Sequence, residues 1–180
     1  MRIIGGRFRG KGLVGVSSET TRPTTNRVRE NIFNVLGLRV RGASVLDVFA
    51  GVGSYSAESI SRGASCVTAN DRCGEMQGVI KDNLVEIASK SSCEVRLFGL
   101  DYKVLLDKLK GEKFDIVFLD APYDGDFGVL CAELLFARDM ISKGGIIILE
   151  ADKLLDFCGL SGVSVRHEKY GRVHVYFLHK

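Results

Sequence analysis

From residue 44 onward, short apolar runs alternate with longer amphipathic stretches along the chain. The apolar runs are rich in β-branched residues, as in strands buried in a parallel sheet, and the stretches between them carry apolar residues at helical spacing. The predicted strands span residues 44–49, 65–70, 94–99, 114–120 and 145–150. The predicted helices span residues 54–62, 74–90, 102–109 and 127–141. This order indicates an α/β fold with a doubly wound, mostly parallel sheet.

The carboxyl-terminal region has a different pattern. Residues 163–170 and 173–178 alternate between apolar and polar side chains and are separated at Gly171. They predict an antiparallel hairpin that closes one edge of the sheet. The chain should therefore fold around a Rossmann-like sheet of seven strands.

The amino-terminal region is predicted to be a small extension of this core. Residues 2–4 and 13–16 flank a turn rich in Gly and Arg, and we expect them to pair as an exposed hairpin that projects from the protein. Thr24 or Thr25 can cap a helix over residues 26–36, whose apolar face should dock on the core.

Charge divides the chain at the same place. The first 41 residues hold nine Lys or Arg and two Glu, a net charge of +7, so that the other 139 residues carry −4 of the chain's total of +3. Because Lys and Arg displace counterions condensed on phosphates, this asymmetry is typical of a polyanion-binding arm, although a solvated basic tail would give the same count. We therefore divide the chain into a basic extension, residues 1–41, and a core, residues 42–180.

The bulk properties exclude several classes of protein. A chain of 180 residues has room for one domain but not for a second catalytic domain. No apolar run reaches the roughly 20 residues of a membrane span, and the start lacks the pattern of a secretory signal. The five cysteines are scattered without a C-x-x-C pair. We expect a cytoplasmic monomer with reduced thiols, no metal and no membrane contact.

The loop after the first predicted strand has the composition of a ligand-binding loop. Asp47 lies inside the strand, and Gly51 and Gly53 follow it just before a helix. In an open α/β sheet, ligands bind at the carboxyl ends of the strands, where glycine lets the backbone approach closely. Asp71 ends the second strand and can accept both hydroxyls of a ribose. A glycine pair alone is a weak signal, but together with Asp71 it favours a nucleoside ligand.

The glycine spacing discriminates among nucleoside ligands. A dinucleotide-binding loop has a third glycine where this chain has Ser56, and no phosphate-binding G-x-x-x-x-G-K-[ST] sequence is present. S-adenosylmethionine carries no phosphate and fits this loop best. Asp101, after the third strand, can contact the adenine amine or cap the following helix, and the two roles are compatible. The predicted cofactor site comprises Asp47, Phe49, Gly51, Gly53, Asp71, Leu100, Asp101 and Asp120.

The fourth predicted strand runs into the tetrapeptide Asp120-Ala121-Pro122-Tyr123, the predicted catalytic residues. Asp120 and the carbonyl of Ala121 can accept the two N–H bonds of an exocyclic amine and stabilise the positive charge that grows during methyl transfer. Tyr123 can stack on the base. An Asp-x-Pro turn with a half-buried tyrosine is the structural alternative.

Motifs through nearly the whole chain resemble the bacterial 16S rRNA (guanine(966)-N(2))-methyltransferase family. They are MRIIGGRFRGKGL, RPTTNRVRENIFNVL, VLDVFAGVGSYSAESISRGA, FDIVFLDAPY, GGIIILE and KYGR. The resemblance implies a class I methyltransferase fold, S-adenosylmethionine as cofactor, and the 16S rRNA of the small ribosomal subunit or its assembly intermediate as partner. It also implies an RNA-facing surface that we assign to Arg2, Arg7, Arg9, Lys11, Arg22, Arg27, Arg29 and Tyr170.

The chain departs from the family pattern at three positions. Ala121 stands where a second proline is common, Val52 where serine is common and Asn26 where aspartate is common. Because Ala121 would act through its backbone carbonyl, this change should loosen the loop without removing the hydrogen bond. Two other functions stay open: methylation of another nucleic-acid amine, such as adenine in DNA, and non-catalytic RNA binding during assembly. Asp120 favours guanine, because adenine enzymes usually have Asn there.

Overall fold

The computed structural model describes residues 1–15, 26–122 and 126–180. In the described part of the chain, one seven-stranded sheet has the order β3-β2-β1-β4-β5-β7-β6. The strands are β1 Ser44–Asp47, β2 Cys66–Asn70, β3 Glu94–Phe98, β4 Phe114–Leu119, β5 Ile141–Ala151, β6 Ser164–Tyr170 and β7 Val173–His179. The helices are α1 Asn26–Leu36, α2 Ser54–Ser61, α3 Gly74–Ser89, α4 Tyr102–Lys108 and α5 Phe127–Ala137, and a 3-10 turn covers Gly37–Val40.

The strand pairing confirms the predicted fold class. Strands β1 to β5 pair in parallel with one another, whereas β7 runs antiparallel to both β5 and β6. The strand order reverses between β1 and β4, and this reversal opens a crevice at the carboxyl edge of the sheet.

Alternate residues of each strand pack into two apolar layers. In β4, Ile116 and Phe118 face the layer that contains α1, α2 and α3, and Val117 and Leu119 face the layer of α4 and α5. This side-chain alternation buries both faces of the sheet, which explains why its strands are continuously apolar. Among the described residues, no helix is long and apolar enough to cross a membrane.

The prediction was wrong about the boundary between α5 and β5. The helix ends at Ala137, and the strand already begins at Ile141. The apolar pattern misled the prediction because Met140 and Ile141 are buried as well, but Met140 lies in the connection after the helix and Ile141 in the strand. A β-bulge also lies within β5, because Phe114 pairs with Ile141 whereas Ile116 pairs with Ile146.

The predicted amino-terminal hairpin is present, because the N–H of Ile3 donates to the carbonyl of Lys11 and the N–H of Leu13 to that of Met1, but it does not project from the core as expected. A single bridge pairs Arg2 with Gly12, and the segment lies on α2 with Ile3 and Leu13 buried in the core. The backbone N–H groups of Ile4 and Gly5 each donate to the buried carboxylate of Glu58 over 2.8 Å. A buried carboxylate needs such donors, and they tie the segment to the helix.

The two adjacent glycines of this segment allow its close approach to α2. A Cβ atom on Gly6 would lie 2.0 Å from the carbonyl oxygen of Ser61, and Gly6 has a φ of +75°. A Cβ atom on Gly5 would collide with the guanidinium of Arg62. The backbone N–H of Arg7 donates to the carbonyl of Ser61 over 2.7 Å. The glycines are therefore needed for docking.

Candidate active site

The loops that follow β1, β2, β3 and β4 meet at the carboxyl edge of the sheet. The structure brings the predicted acidic residues together there. Burial raises the pKa of Asp47, and the negative charges of Asp120 and Asp71 raise it further, so both of these carboxylates lie within electrostatic reach of Asp47. A group of acids at the switch point of a Rossmann-like sheet defines a candidate ligand site.

The glycine loop between β1 and α2 has the backbone conformation that its sequence predicts. Gly51 has a φ of +54° and Gly53 a φ of +79°, a region that side-chain-bearing residues rarely adopt. A Cβ atom added to Gly51 would meet no heavy atom within 4 Å. The loop thus presents bare backbone to open space, where a ligand can approach it closely.

Asp71 orients its carboxylate by two backbone hydrogen bonds. The N–H of Gly51 donates to Oδ2 over 2.8 Å, and the N–H of Cys73 donates to Oδ1 over 2.9 Å. Each carboxylate oxygen has a further lone pair. Gln77 of α3 donates to the carbonyls of Asp71 and Phe98 and holds the two loops together. The side chain of Asp71 is only partly buried, so it can accept a ligand's hydroxyl groups.

Asp47 lies beneath the glycine loop. It is fully buried, and its Oδ2 accepts hydrogen bonds from the hydroxyl of Ser56 at 2.7 Å and from the Ser56 N–H at 3.2 Å. Burial raises the pKa of Asp47 from 3.8 to about 7, the Ser56 hydroxyl lowers it, and the charge of Asp120 raises it. Its buried Oδ1 has no hydrogen-bond partner among the described residues. A cationic ligand group above the loop would favour the ionised form.

Two asparagines that the sequence analysis missed connect these loops. The buried amide of Asn70 donates to the carbonyls of Val48 and Leu100 and accepts from the N–H of Leu100, over 2.9–3.0 Å. Asn83 of α3 donates to the carbonyl of Val52, between the two glycines, over 2.8 Å. Both asparagines lie in apolar segments of the sequence, which indicates that their amides are buried. Because a buried amide requires hydrogen-bond partners, this position was the signal in the sequence for a connecting role.

Asn83 also binds the amino-terminal segment. Its side chain donates to the carbonyl of Val14 over 3.0 Å and accepts from the N–H of Val14 over 2.7 Å. One amide therefore connects the amino-terminal segment to the glycine loop.

The remaining predicted cofactor residues lie around the end of β3. Asp101 caps α4, because its Oδ1 accepts from the N–H of Lys103 over 2.9 Å, and its exposed position leaves the carboxylate accessible. Leu100 is held by Asn70. The ring of Phe49 packs at 5.9 Å from that of Tyr102. These residues supply an apolar side and a polar rim to the same crevice.

The described part of the predicted catalytic tetrapeptide follows β4 directly. Asp120 is partly buried, Ala121 is buried and Pro122 is exposed. Ala121 and Pro122 line a small cavity together with Leu149, Glu150 and other residues at the end of β5. Tyr123 lies outside the described residues.

A buried polar cluster supports the tetrapeptide from below. The hydroxyl of Tyr55 donates to the carboxylate of Glu150, and the ring of Tyr55 stacks on Phe118 at 4.5 Å. Arg29 of α1 is fully buried, and its Nη2 donates to the carbonyl of Arg2 over 2.6 Å. Burial lowers the pKa of Arg29, whereas the charges of Glu58 and Glu150 raise it.

The structure therefore corrects the prediction that Arg29 contacts RNA. Its guanidinium binds the amino-terminal backbone inside the protein and cannot reach a phosphate. The sequence suggested a basic surface because Arg29 lies among other arginines, but α1 buries the face on which it stands.

The other predicted RNA-binding residues differ in their environments. Arg2, Arg7, Arg9 and Arg27 are exposed, and Lys11 forms an ion pair with Glu86. Tyr170 is half-buried in the β6–β7 hairpin, whose turn lies beyond the end of β5 and hence at the same edge as the tetrapeptide. Arg22, Thr24 and Thr25 lie outside the described residues.

The residues present fit a nucleoside that carries a cationic group. The bare backbone at Gly51 allows a close ligand contact. The oriented carboxylate of Asp71 can accept a pair of ribose hydroxyls, and the buried carboxylate of Asp47 suits an amino group. Nothing in the described part of the chain forms a cluster of three or more His, Cys, Asp or Glu able to hold a metal.

Sheet order, antiparallel hairpin and crevice together define the class I methyltransferase architecture. A precorrin-6y C5,15-methyltransferase from Geobacter metallireducens shares this fold at a TM-score of 0.71 and 20% identity, with 93% of this chain and 94% of that chain covered. The yhhF protein of Escherichia coli is more similar, with a TM-score of 0.85 and 28% identity over 99% of this chain and 96% of that one.

Residues 1–179 match the family model described as "Conserved hypothetical protein 95", and the chain belongs to this family. Two relatives are named ribosomal RNA small subunit methyltransferase D. The Escherichia coli K12 protein is 36% identical over 84% of this chain and 75% of its own length. The Haemophilus influenzae protein is 32% identical over 85% of this chain and 79% of its own.

Proposed function

We propose that the protein uses S-adenosylmethionine to methylate the exocyclic N2 amine of a guanine in 16S rRNA, at guanine 966, during small-subunit assembly. The observation that carries the proposal is the convergence of the glycine loop, the Asp71 carboxylate and the Asp120-Ala121-Pro122 turn at one edge of the sheet. The names of the relatives support ribosomal RNA as the substrate.

The cofactor is proposed to bind to two acidic side chains and one glycine loop. Asp71 accepts the two ribose hydroxyls, because backbone N–H groups already fix both of its oxygens. The loop from Gly51 to Gly53 faces the amino acid part, and Asp47 below it favours the amino group. When bound, S-adenosylmethionine supplies an electrophilic methyl group. Its use is supported by the structural neighbour SMU.776, which was solved as a complex with SAH and shares the fold at a TM-score of 0.63 and 14% identity.

The tetrapeptide is proposed to orient the guanine. Asp120 and the carbonyl of Ala121 accept the two N–H bonds of the exocyclic amine, which directs the nitrogen toward the cofactor and stabilises the positive charge that develops on it. Tyr123 stacks on the base. Burial of Ala121 keeps its backbone ordered without the second proline of the family pattern.

The exposed arginines are proposed to bind the RNA backbone. Arg2, Arg7 and Arg9 project from the amino-terminal segment docked on α2, and Arg27 projects from α1. Tyr170 is proposed to contact RNA beside the tetrapeptide. We propose that the protein acts as a cytoplasmic monomer on the small subunit or its assembly intermediate.

The test is transfer of labelled methyl groups to 30S particles and to naked 16S rRNA from cells that lack the modification. The product is identified by mass spectrometry of nucleosides, and we expect N2-methylguanosine. Methyladenosine, or label in DNA only, would establish a different amine as the substrate. Binding of S-adenosylmethionine and RNA without transfer would establish the non-catalytic assembly factor.

A further inference from the structure

A second concave surface lies at the amino edge of the sheet, opposite the candidate active site. It is an open groove of about 290 Å³. Three cationic side chains line it together with the starts of β1 and β4 and the bulge of β5. The lining residues named here are Arg39, Arg41, Ala43, Asp115, Ile116 and Lys143.

The β5 bulge places one of the three cations in the groove. Between Ile141 and Ile146 the strand leaves its pairing with β4, and Lys143 projects from this irregular stretch. Gly144 has a φ of +76°, and a Cβ atom on Gly145 would lie 2.9–3.0 Å from Ile141, the Phe114 carbonyl and the Ser142 carbonyl. The bulge therefore depends on both glycines. Bulges of this kind re-aim side chains, often near functional sites.

The other two cations come from the connection between α1 and β1. The 3-10 turn Gly37–Val40 presents Arg39, and Arg41 follows it directly. All three cations are exposed, and none forms an ion pair within 4 Å with another residue of the described ranges. Asp115, the acid in the groove, already accepts from the N–H of Ser44 over 2.8 Å.

The chemistry of the groove fits a phosphate backbone better than a protein surface. Protein interfaces usually have an apolar, aromatic-rich centre. The apolar residues in this groove, Ala43 and Ile116, are buried, so the accessible groups are guanidinium, ammonium and glycine backbone, together with the partly buried carboxylate of Asp115 that already accepts from Ser44. Arginine and lysine in this arrangement are the usual ligands of nucleic-acid phosphates.

We propose that the groove lined by Arg39, Arg41 and Lys143 is a second RNA-binding surface, which holds the backbone of RNA that flanks the target guanine. This inference rests on the proposed function for the identity of the RNA. Ile116 and Asp120 are four residues apart in β4, which corresponds to about 13 Å along the strand. The groove therefore contacts RNA that has passed around the edge of the sheet, away from the target nucleotide.

The test compares R39Q/R41Q/K143Q with the control K81Q/K108Q/K110Q, which removes three exposed lysines that do not line the groove. Binding of each protein is measured against salt concentration with two RNAs: a short stem-loop that carries the target guanine, and full-length unmodified 16S rRNA. S-adenosylmethionine affinity is measured in parallel, and we expect it to be unchanged in both variants.

We expect the groove variant to bind full-length RNA about tenfold more weakly at moderate salt, with a slope of log affinity against log salt that is shallower by about 2–3, since each phosphate contact contributes roughly 0.7–0.9. Its affinity for the short stem-loop should equal that of the control variant. Equal affinity and slope of the two variants on full-length RNA would overturn the proposal, and so would a wild-type protein that does not bind this RNA.

The outcome is separable from that of the proposed function. Methyl transfer by the wild-type protein to the same full-length RNA and to 30S particles is measured in the same series. Absence of transfer would refute the proposed function, whereas the binding comparison alone decides on the groove. An equal loss on the short and long RNAs would show that the groove acts only through the overall charge, which also contradicts the proposal.

Discussion

The surface of α2 that binds the amino-terminal segment and the loops at the carboxyl edge of the sheet use acidic side chains in opposite ways. On α2, the carboxylate of Glu58 is buried and accepts hydrogen bonds from two backbone N–H groups of the segment and from Arg62. At the carboxyl edge, Asp71 also binds two backbone N–H groups but remains partly exposed. A carboxylate that accepts two backbone N–H groups stabilises the fold where water is excluded. Where the carboxylate faces a crevice, the same arrangement leaves it able to bind a ligand.

This difference changes the interpretation of the basic extension. Its arginines face solvent and suit RNA binding, but its backbone completes the core beneath them. Removing the charges and removing the segment should therefore have different effects, and the predictions below separate the two.

Deleting residues 1–15 should have the largest effect. The deletion takes away both backbone donors of Glu58, at about 1.5–3 kcal/mol each for hydrogen bonds to a charged group, and the burial of Ile3 and Leu13, at about 1.5–3 kcal/mol each. The sum approaches the whole stability of a domain, about 5–15 kcal/mol. Thermal unfolding followed by circular dichroism should show a truncated protein that is largely unfolded at 37 °C.

Asp47→Asn should stabilise the protein at high pH. Because the folded pKa of Asp47, about 7, lies above its ordinary value of 3.8, ionisation opposes folding and stability falls as pH rises between these values. The interval corresponds to about 4 kcal/mol at most. Denaturant unfolding at pH 5 and pH 8 should show a gain for the variant at pH 8 that is reduced at pH 5. The exposed Asp82→Asn is the matched control, and a gain of the same size there would remove Asp47 as the cause.

Asp120→Ala should separate catalysis from cofactor binding. We expect methyl transfer to fall by about 10²–10³, as when one oriented hydrogen-bond partner of a transition state is lost, while S-adenosylmethionine affinity changes only a few-fold. Single-turnover transfer and calorimetric titration measure the two quantities. If this variant transfers methyl groups at the wild-type rate, the tetrapeptide is only a structural turn and has no catalytic role.

Asp71→Ala should weaken S-adenosylmethionine binding by about tenfold or more, since it removes the proposed acceptor of two ribose hydroxyls. It also releases the N–H groups of Gly51 and Cys73, so Asp71→Asn, which keeps one carbonyl acceptor, is expected to lose less. Calorimetric titration of both variants tests this order. An unchanged dissociation constant in Asp71→Ala would exclude the residue from the site.

The triple variant R2Q/R7Q/R9Q should have the smallest effect on the fold and act on RNA alone. It keeps the docked backbone, so its melting temperature and its stabilisation by S-adenosylmethionine should match the wild type. The slope of log RNA affinity against log salt should become shallower by about 2–3. An unaltered slope and affinity would mean that these arginines are solvated and that the RNA lies elsewhere.

Much of the fold was predictable because both faces of the sheet are buried. The central strands, such as β4, are then apolar runs, and the parallel order follows from the helices between the runs. The start of β5 was not predictable, because Met140 and Ile141 continue the apolar spacing of α5 in a different backbone conformation. Local spacing does not show whether an apolar residue is buried in a helix or in a strand.

The placement of residues around the crevice was predictable where residue type marks the end of a strand, as at Asp71 and the glycines, and their role in ligand binding stays a prediction. Placement was not predictable where a polar group acts through distant backbone. Glu58 and Arg29 look like exposed charges of amphipathic helices, but their partners lie 53–54 and 27 positions away in the chain. Only the tertiary structure brings those backbone groups to them.

The side chain of Asn83 connects the two regions that are proposed to bind RNA and S-adenosylmethionine. It holds Val14 of the amino-terminal segment and Val52 of the glycine loop at once. If RNA contact with the segment alters these hydrogen bonds, it changes the affinity for S-adenosylmethionine by some factor, and the cofactor must change the affinity for RNA by the same factor. The fold thus contains a physical connection through which the two proposed ligands can change each other's affinity.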